Sequence, residues 1–180
     1  MSEPEHNVPC RPALLVIDVQ RALFEKSTPI HKAGDLLAHI TLLADRAHQA
    51  GVPVVYVRHT NASFLAEGCD GWQLHPSLHP DPADLILQKR HGSALQDTPL
   101  HPDLQSRGVN TLVVTGLVTH GCVKATCQDA NAHGYRVILV EDGHSSYHKD
   151  AVRLVETWNR QLSEEGIELC AAQTMDFTRL

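Results

Sequence analysis

The sequence predicts a three-layer α/β sandwich, Rossmann-like, around a mostly parallel six-stranded sheet in the order 3-2-1-4-5-6. Three observations carry this expectation. Short continuous apolar runs, such as ALLVIDV at 13–19 and TLVVT at 111–115, have the length and composition of strands buried on both faces. Segments with helical spacing lie between them, and the two kinds of element alternate along the chain. Such alternation calls for parallel strands joined by right-handed crossovers.

The first strand is Ala13–Val19, interrupted only by Asp18 near its end. Residues 20–34 read as a loop, with Pro29 and Gly34. From Asp35, apolar residues recur at Leu36, Leu37, Ile40, Leu43, Ala44 and Ala47 up to Gly51, an amphipathic helix with an acidic start and a glycine stop. Pro53–Val57 is the second strand. The stretch from Arg58 to Asp84 has no periodicity, and loops of that length are usually functional. Leu85–Leu87 is a short third strand that Lys89 follows. Thr98-Pro99 supplies an N-cap and a first-turn proline for a short helix ended by Gly108. Thr111–Thr115 is the fourth strand, and a helix opens at Cys122 and runs to about His133-Gly134. Arg136–Val140 is the fifth strand, closed by Glu141-Asp142-Gly143. A helix over Asp150–Gly166 and a sixth strand over Glu168–Ala171 complete the pattern.

With 180 residues and no linker-like change of composition, the chain reads as a single domain over 1–180, residues 1–12 forming a flexible polar tail. A formal net charge of −6 without any Lys/Arg cluster gives no footing for nucleic acid or an anionic membrane. A small-molecule substrate fits better. No basic-then-apolar leader and no membrane-length apolar run is visible, and five irregularly spaced cysteines suit reduced thiols in the cytoplasm. Cys10, Cys69, Cys127 and Cys170 read as structural. The 13 histidines lie mostly in loops, and no H-x-x-x-H pair falls within a helical stretch.

Ligands of such sheets bind at the carboxyl ends of the strands, where the strand order reverses. Strands one and four are neighbours in the expected order, which brings Asp18 and Cys122 together. A thiol at a helix N-terminus gains from the partial positive charge there, and the free N–H groups can hold an oxyanion. Asp18, inside an apolar strand, is costly unless it is paired or its pKa has moved. Lys89 lies two strand spacings, roughly 10 Å, from the first strand, so the loop must fold back for its ammonium to arrive.

Taken together, LLVIDVQRALF at 14–24, KRHGSAL from Lys89 and GLVTHGCVKATCQDANAHGYRVILVEDGHSS from Gly116 resemble the isochorismatase-like cysteine hydrolases. That family includes nicotinamidases, N-carbamoylsarcosine amidase and ureido-compound hydrolases. The resemblance spans about residues 13–177 and implies a triad of Asp18, Lys89 and Cys122. It also implies a cis peptide between Leu117 and Val118, with the N–H groups of Val118 and Cys122 as an oxyanion hole, and a homodimer or homotetramer. Gln20, Phe24, Arg58, His59, Trp72, His91, Thr119 and His120 are candidates to line the substrate pocket. Where nicotinamidases carry an Asp-x-His-x-x-x-His metal site, this chain has Val55, Val57 and Asn61. Neither a metal nor another cofactor is expected, and nicotinamide is disfavoured.

The residue types then point to hydrolysis of a C–N bond in a small amide or ureido compound through a thioester, Lys89 and the helix N-terminus favouring the thiolate. Two alternatives stay open. One is a vinyl-ether hydrolysis with Asp18 as the acid; the other is a non-enzymatic protein that uses Cys122 for redox sensing or binding.

Overall fold

A computed structural model describes residues 9–180, so the first part of the tail expected at 1–12 lies outside the described residues. Six strands form one sheet in the order β3-β2-β1-β4-β5-β6, and every neighbouring pair is parallel. The strands are β1 (Pro12–Ile17), β2 (Val54–His59), β3 (Leu85–Lys89), β4 (Thr111–Leu117), β5 (Arg136–Ser145) and β6 (Glu168–Cys170). Among the described residues five α-helices accompany them: α1 (Arg21–Phe24), α2 (Ala33–Gln49), α3 (Leu100–Ser106), α4 (Lys124–Ala132) and α5 (Ala151–Glu164).

Alternation along the central strands sorts their side chains into two cores. Leu14, Val16, Val54 and Tyr56 pack with Leu36, Ile40 and Leu43 of α2 on one face. Ala13, Leu15, Ile17, Val55, Val57, Leu112 and Val114 pack on the other with Leu104 of α3, Cys127 of α4 and Leu162 of α5. Burial on both faces is the reason β1 and β4 read as unbroken apolar runs. Each fully buried aliphatic side chain contributes about 1.5–3 kcal/mol. Among the described residues no helix is long and apolar enough to cross a membrane.

Several expected boundaries shift. β1 stops at Ile17, and Asp18 takes a left-handed backbone (φ 52°) instead of continuing the strand. The expected loop at 20–34 contains α1, which is too short to show periodicity. β2 and β3 run on to His59 and Lys89. Thus Lys89 is the last residue of a strand, and no loop has to fold back: its side chain reaches inward across β2. α3 starts one residue later than expected, with Pro99 at the N-cap position and Leu100 as its first residue, although Thr98 Oγ1 still accepts the Leu100 N–H at 3.3 Å. β5 does not end at Val140; it passes through a bulge at the acidic residues and continues to Ser145, with His144 paired to Gly116.

Candidate active site

At the centre of the sheet, Gly116 of β4 lies beside Ile17 of β1. A Cβ on Gly116 would come within 2.6 Å of Ile17 N, and Gly116 has φ +117°, so only glycine allows this approach. Asp18 follows Ile17 directly, and the Leu117–Cys122 segment follows Gly116. The Leu117–Val118 peptide is cis. Thr119–Val123 then form a wide π-type turn that leads into α4, so Cys122 stands two positions before Lys124, the first residue of the regular helix. Close contact of two backbones therefore sets acid and thiol side by side.

Lys89 Nζ is the hub of the site. It donates to Asp18 Oδ2 at 2.8 Å and lies 3.1 Å from His59 Nδ1, 3.1 Å from the His91 carbonyl oxygen and 3.2 Å from Cys122 Sγ. The Lys89–Asp18 pair is almost wholly buried, with side-chain exposures of 0% and 3%. Asp18 Oδ1 is buried without a hydrogen-bond partner, leaving one carboxylate oxygen to receive a proton. The ligand atoms of Asp18, His59 and Cys122 lie within 4.8 Å of one another, a donor set that suits a cation. The Lys89 ammonium, within hydrogen-bond reach of all three, is the cation built into it.

Electrostatics here depart from the thiolate expected from the sequence. Burial first, and the Asp18 carboxylate second, push the Cys122 thiol up to about 11, while Lys89 opposes them. The ammonium's charge is already matched by Asp18, so the resting cysteine is a thiol. Burial also raises Asp18 above the ordinary carboxylate range, against the pull of Lys89. A carboxylate with raised proton affinity beside a neutral thiol is poised as a base.

Of the residues expected to line the pocket, His59 joins the cluster through its imidazole and His91 through its carbonyl. The His91 ring is exposed, 3.1 Å from Asp97. The others serve different partners. The Gln20 amide is buried and fully engaged, bonding both the N–H and the C=O of His59 as well as the Trp72 carbonyl. Trp72 Nε1 donates to Thr60 Oγ1 at 2.9 Å. Arg58 alternates with His59 along β2 and so faces the opposite side of the sheet, stacked 3.6 Å from the Trp72 ring centroid. Phe24 packs against His75, and His120 lies edge-on to His148, its Nδ1 buried without a partner.

Thr119, buried, belongs to a chain of hydrogen bonds that the sequence did not reveal. Asn159 of α5 donates to the Glu141 carbonyl, which leaves its Oδ1 to accept the His144 Nε2–H at 2.8 Å. His144 Nδ1 therefore accepts from the Thr119 hydroxyl at 2.8 Å. Burial holds His144 down at about 4, so the imidazole is neutral, as this pattern requires. The chain ties the cysteine-bearing turn to β5 and α5. No sequence signal marked it, because His144 sits beyond residues that read as a turn.

Comparison with known proteins agrees with this geometry. A family model described as the isochorismatase domain matches residues 12–168. A streptothricin hydrolase of Streptomyces noursei is 34% identical over 137 residues, covering 75% of this chain and 54% of that protein. The chain thus spans about half the length of that relative. A ureidoacrylate amidohydrolase of Methylobacterium radiotolerans is 28% identical over 199 residues, covering 87% of this chain and 77% of that protein. The crystal structure of an isochorismatase from Pseudomonas putida superposes with a TM-score of 0.85 at 24% identity, covering 93% of each chain, a likeness of fold.

Proposed function

The chain belongs to the isochorismatase family, and on that premise we propose that it is a cysteine hydrolase cleaving a C–N bond of a small amide or ureido compound. The observation that carries this reading is the buried ammonium of Lys89, set between the Asp18 carboxylate at 2.8 Å and the Cys122 sulfur at 3.2 Å. A sensor needs only a reactive thiol. A base, a nucleophile and a cation packed together serve proton transfer coupled to attack.

Asp18 Oδ1 takes the proton as Cys122 Sγ adds to the carbonyl carbon, and Lys89 stabilises the sulfur while it carries charge. The backbone N–H groups of Val118 and Cys122 hold the oxyanion. As the tetrahedral adduct collapses, the C–N bond breaks and Asp18 returns the proton to the leaving nitrogen, so the amine departs neutral and a thioester remains. Asp18, again a carboxylate, accepts a proton from water as its oxygen attacks the thioester. The acid is released and the thiol is restored. The activities named for the streptothricin hydrolase and the ureidoacrylate amidohydrolase support the choice of a C–N bond. The same reading takes one domain acting in the reducing cytoplasm as a homodimer or homotetramer, which light scattering of the pure protein measures.

The test is release of ammonia or amine across a panel of amides and ureides, with mass spectrometry of acid-quenched enzyme. Turnover together with an acyl adduct on Cys122 is expected, and Cys122→Ala should abolish both. Undiminished turnover by Cys122→Ala would refute the thioester and favour acid-catalysed ether or C–N cleavage by Asp18 alone.

A further inference from the structure

Resting on that reading, we propose that His59 is a positioning residue: as a neutral imidazole it holds the Lys89 ammonium in place while that ammonium changes its anionic partner from Asp18 to Cys122. An ammonium has three hydrogens to donate, yet Lys89 Nζ has four acceptors within 3.2 Å. Two of them, the Asp18 carboxylate and the Cys122 sulfur, exchange charge during the reaction. When the S–H bond breaks and an O–H bond forms on Asp18, the negative charge passes from oxygen to sulfur. The other two, His59 Nδ1 and the His91 carbonyl, stay neutral throughout. Three hydrogens therefore match the two neutral acceptors plus whichever partner is anionic, before the transfer and after it. The resting distances agree, Asp18 lying at 2.8 Å and the thiol at 3.2 Å.

The surroundings of His59 fit this role independently. His59 pairs with Lys89 across β2 and β3. Its backbone N–H donates to Gln20 Oε1 at 2.9 Å, and its carbonyl accepts from Gln20 Nε2 at 3.0 Å. A buried glutamine thus grips both backbone groups of one residue, fixing the point from which the imidazole reaches Nζ. Because Nδ1 faces an ammonium, the ring hydrogen belongs on Nε2. A protonated His59 would lose the acceptor and set a second positive charge 3.1 Å from the first. The groups facing the ring are Lys89 at the end of β3, Asp18 after β1, His91 after β3 and Cys122 in the turn after β4. Burial and Lys89 lower the basicity of His59, with Asp18 and the His91 backbone opposing.

The experiment uses the full chain with His59→Leu, His59→Asn and His59→Leu/Lys89→Met, reading both turnover and iodoacetamide alkylation of Cys122. Without His59, the hydrogen it held passes to the sulfur and the ammonium rests on both anionic sites at once. His59→Leu should therefore alkylate at a lower pH midpoint than wild type, yet lose about ten- to hundred-fold in kcat with little change in KM, the size expected for one charged hydrogen bond. Asn places a carbonyl oxygen where Nδ1 was and should restore both properties to near wild type. In the Lys89→Met background, His59→Leu should add nothing. An unchanged or raised alkylation midpoint in His59→Leu, no recovery in His59→Asn, or a loss confined to KM would each overturn the proposal. Should His59→Leu fail to fold, His59→Asn decides: the acid limb of kcat/KM must move to lower pH, and an unmoved limb overturns the role. If wild type hydrolyses none of the panel, the hydrolase reading falls, and the alkylation midpoints still judge His59 alone.

Discussion

Replacing Asp18 with Asn should make Cys122 more reactive and the enzyme nearly inactive. The carboxylate lies within 4.8 Å of the sulfur and is one of the causes holding the thiol at about 11, whereas Lys89 lowers it. At an effective dielectric constant of 20, two unit charges 4.8 Å apart interact by about 3.5 kcal/mol, equivalent to roughly 2.5 pH units. Loss of the carboxylate also leaves the Lys89 ammonium facing the sulfur unopposed. A fall of about two pH units in the alkylation midpoint is expected. At pH 8 the thiolate fraction would rise about 100-fold; the lower nucleophilicity of a less basic thiolate takes back about ten-fold, so carboxymethylation should quicken about ten-fold. Hydrolysis should fall by about 10²–10⁴-fold for want of a base and acid. The assay is the pseudo-first-order rate of iodoacetamide labelling against pH, followed by mass, beside turnover of the same preparation. Slower labelling in Asp18→Asn would refute the reasoning, because it would mean that Asp18 activates the resting thiol instead of suppressing it. Retained hydrolysis would remove Asp18 from the chemistry.

Lys89→Met should lower stability by about 3–5 kcal/mol, because it strands a buried carboxylate; the Asp18→Asn/Lys89→Met double variant should be the more stable of the two in urea titration, and an additive loss would refute the coupling. Gly116→Ala should cost at least about 3 kcal/mol or prevent folding, since it joins an unfavourable φ to a collision with Ile17; a urea midpoint near wild type would contradict the close approach of β1 and β4. His144 is held at about 4 in the fold against about 6.5 in the unfolded chain. The unfolded chain takes up the proton first, so its contribution is intact above about pH 6.5 and declines by about 3 kcal/mol as the pH falls to 4. Urea midpoints measured across that range should show the decline, and His144→Gln should flatten it.

The strands and their parallel arrangement were legible because β1, β2 and β4 carry unbroken apolar runs between helical segments, and the strand order is the one common in such sheets. What the runs hid was their own continuation. Arg58-His59, Gln88-Lys89 and Glu141–Ser145 are polar, and each extends its strand at the carboxyl end. The pattern that identifies a buried strand fails where the strand enters the site, since chemistry there demands polar side chains. Asp18, Lys89 and Cys122 could be named because each belongs to the carboxyl side of an expected strand and because the motifs around them resemble those of the cysteine hydrolases. The protonation state of Cys122 could not, since it depends on burial and on the distance to Asp18. The sequence marks Gln20 and Trp72 only as polar or aromatic residues near a loop, and the contacts that brace His59 and the turn at Asp70–Trp72 are visible only in the structure. His144 and Asn159 lie 15 residues apart, and nothing in the spacing announces their bond.

The contact between Gly116 and Ile17 has a thermal consequence. Base and nucleophile both depart from two adjacent backbones in the middle of the sheet, so the pairing of β1 and β4 sets the points from which both side chains start. Parting those strands, which is the melting of the central sheet itself, therefore takes the site apart. Activity and far-ultraviolet circular dichroism should be lost over the same few degrees, with no folded but idle form between them.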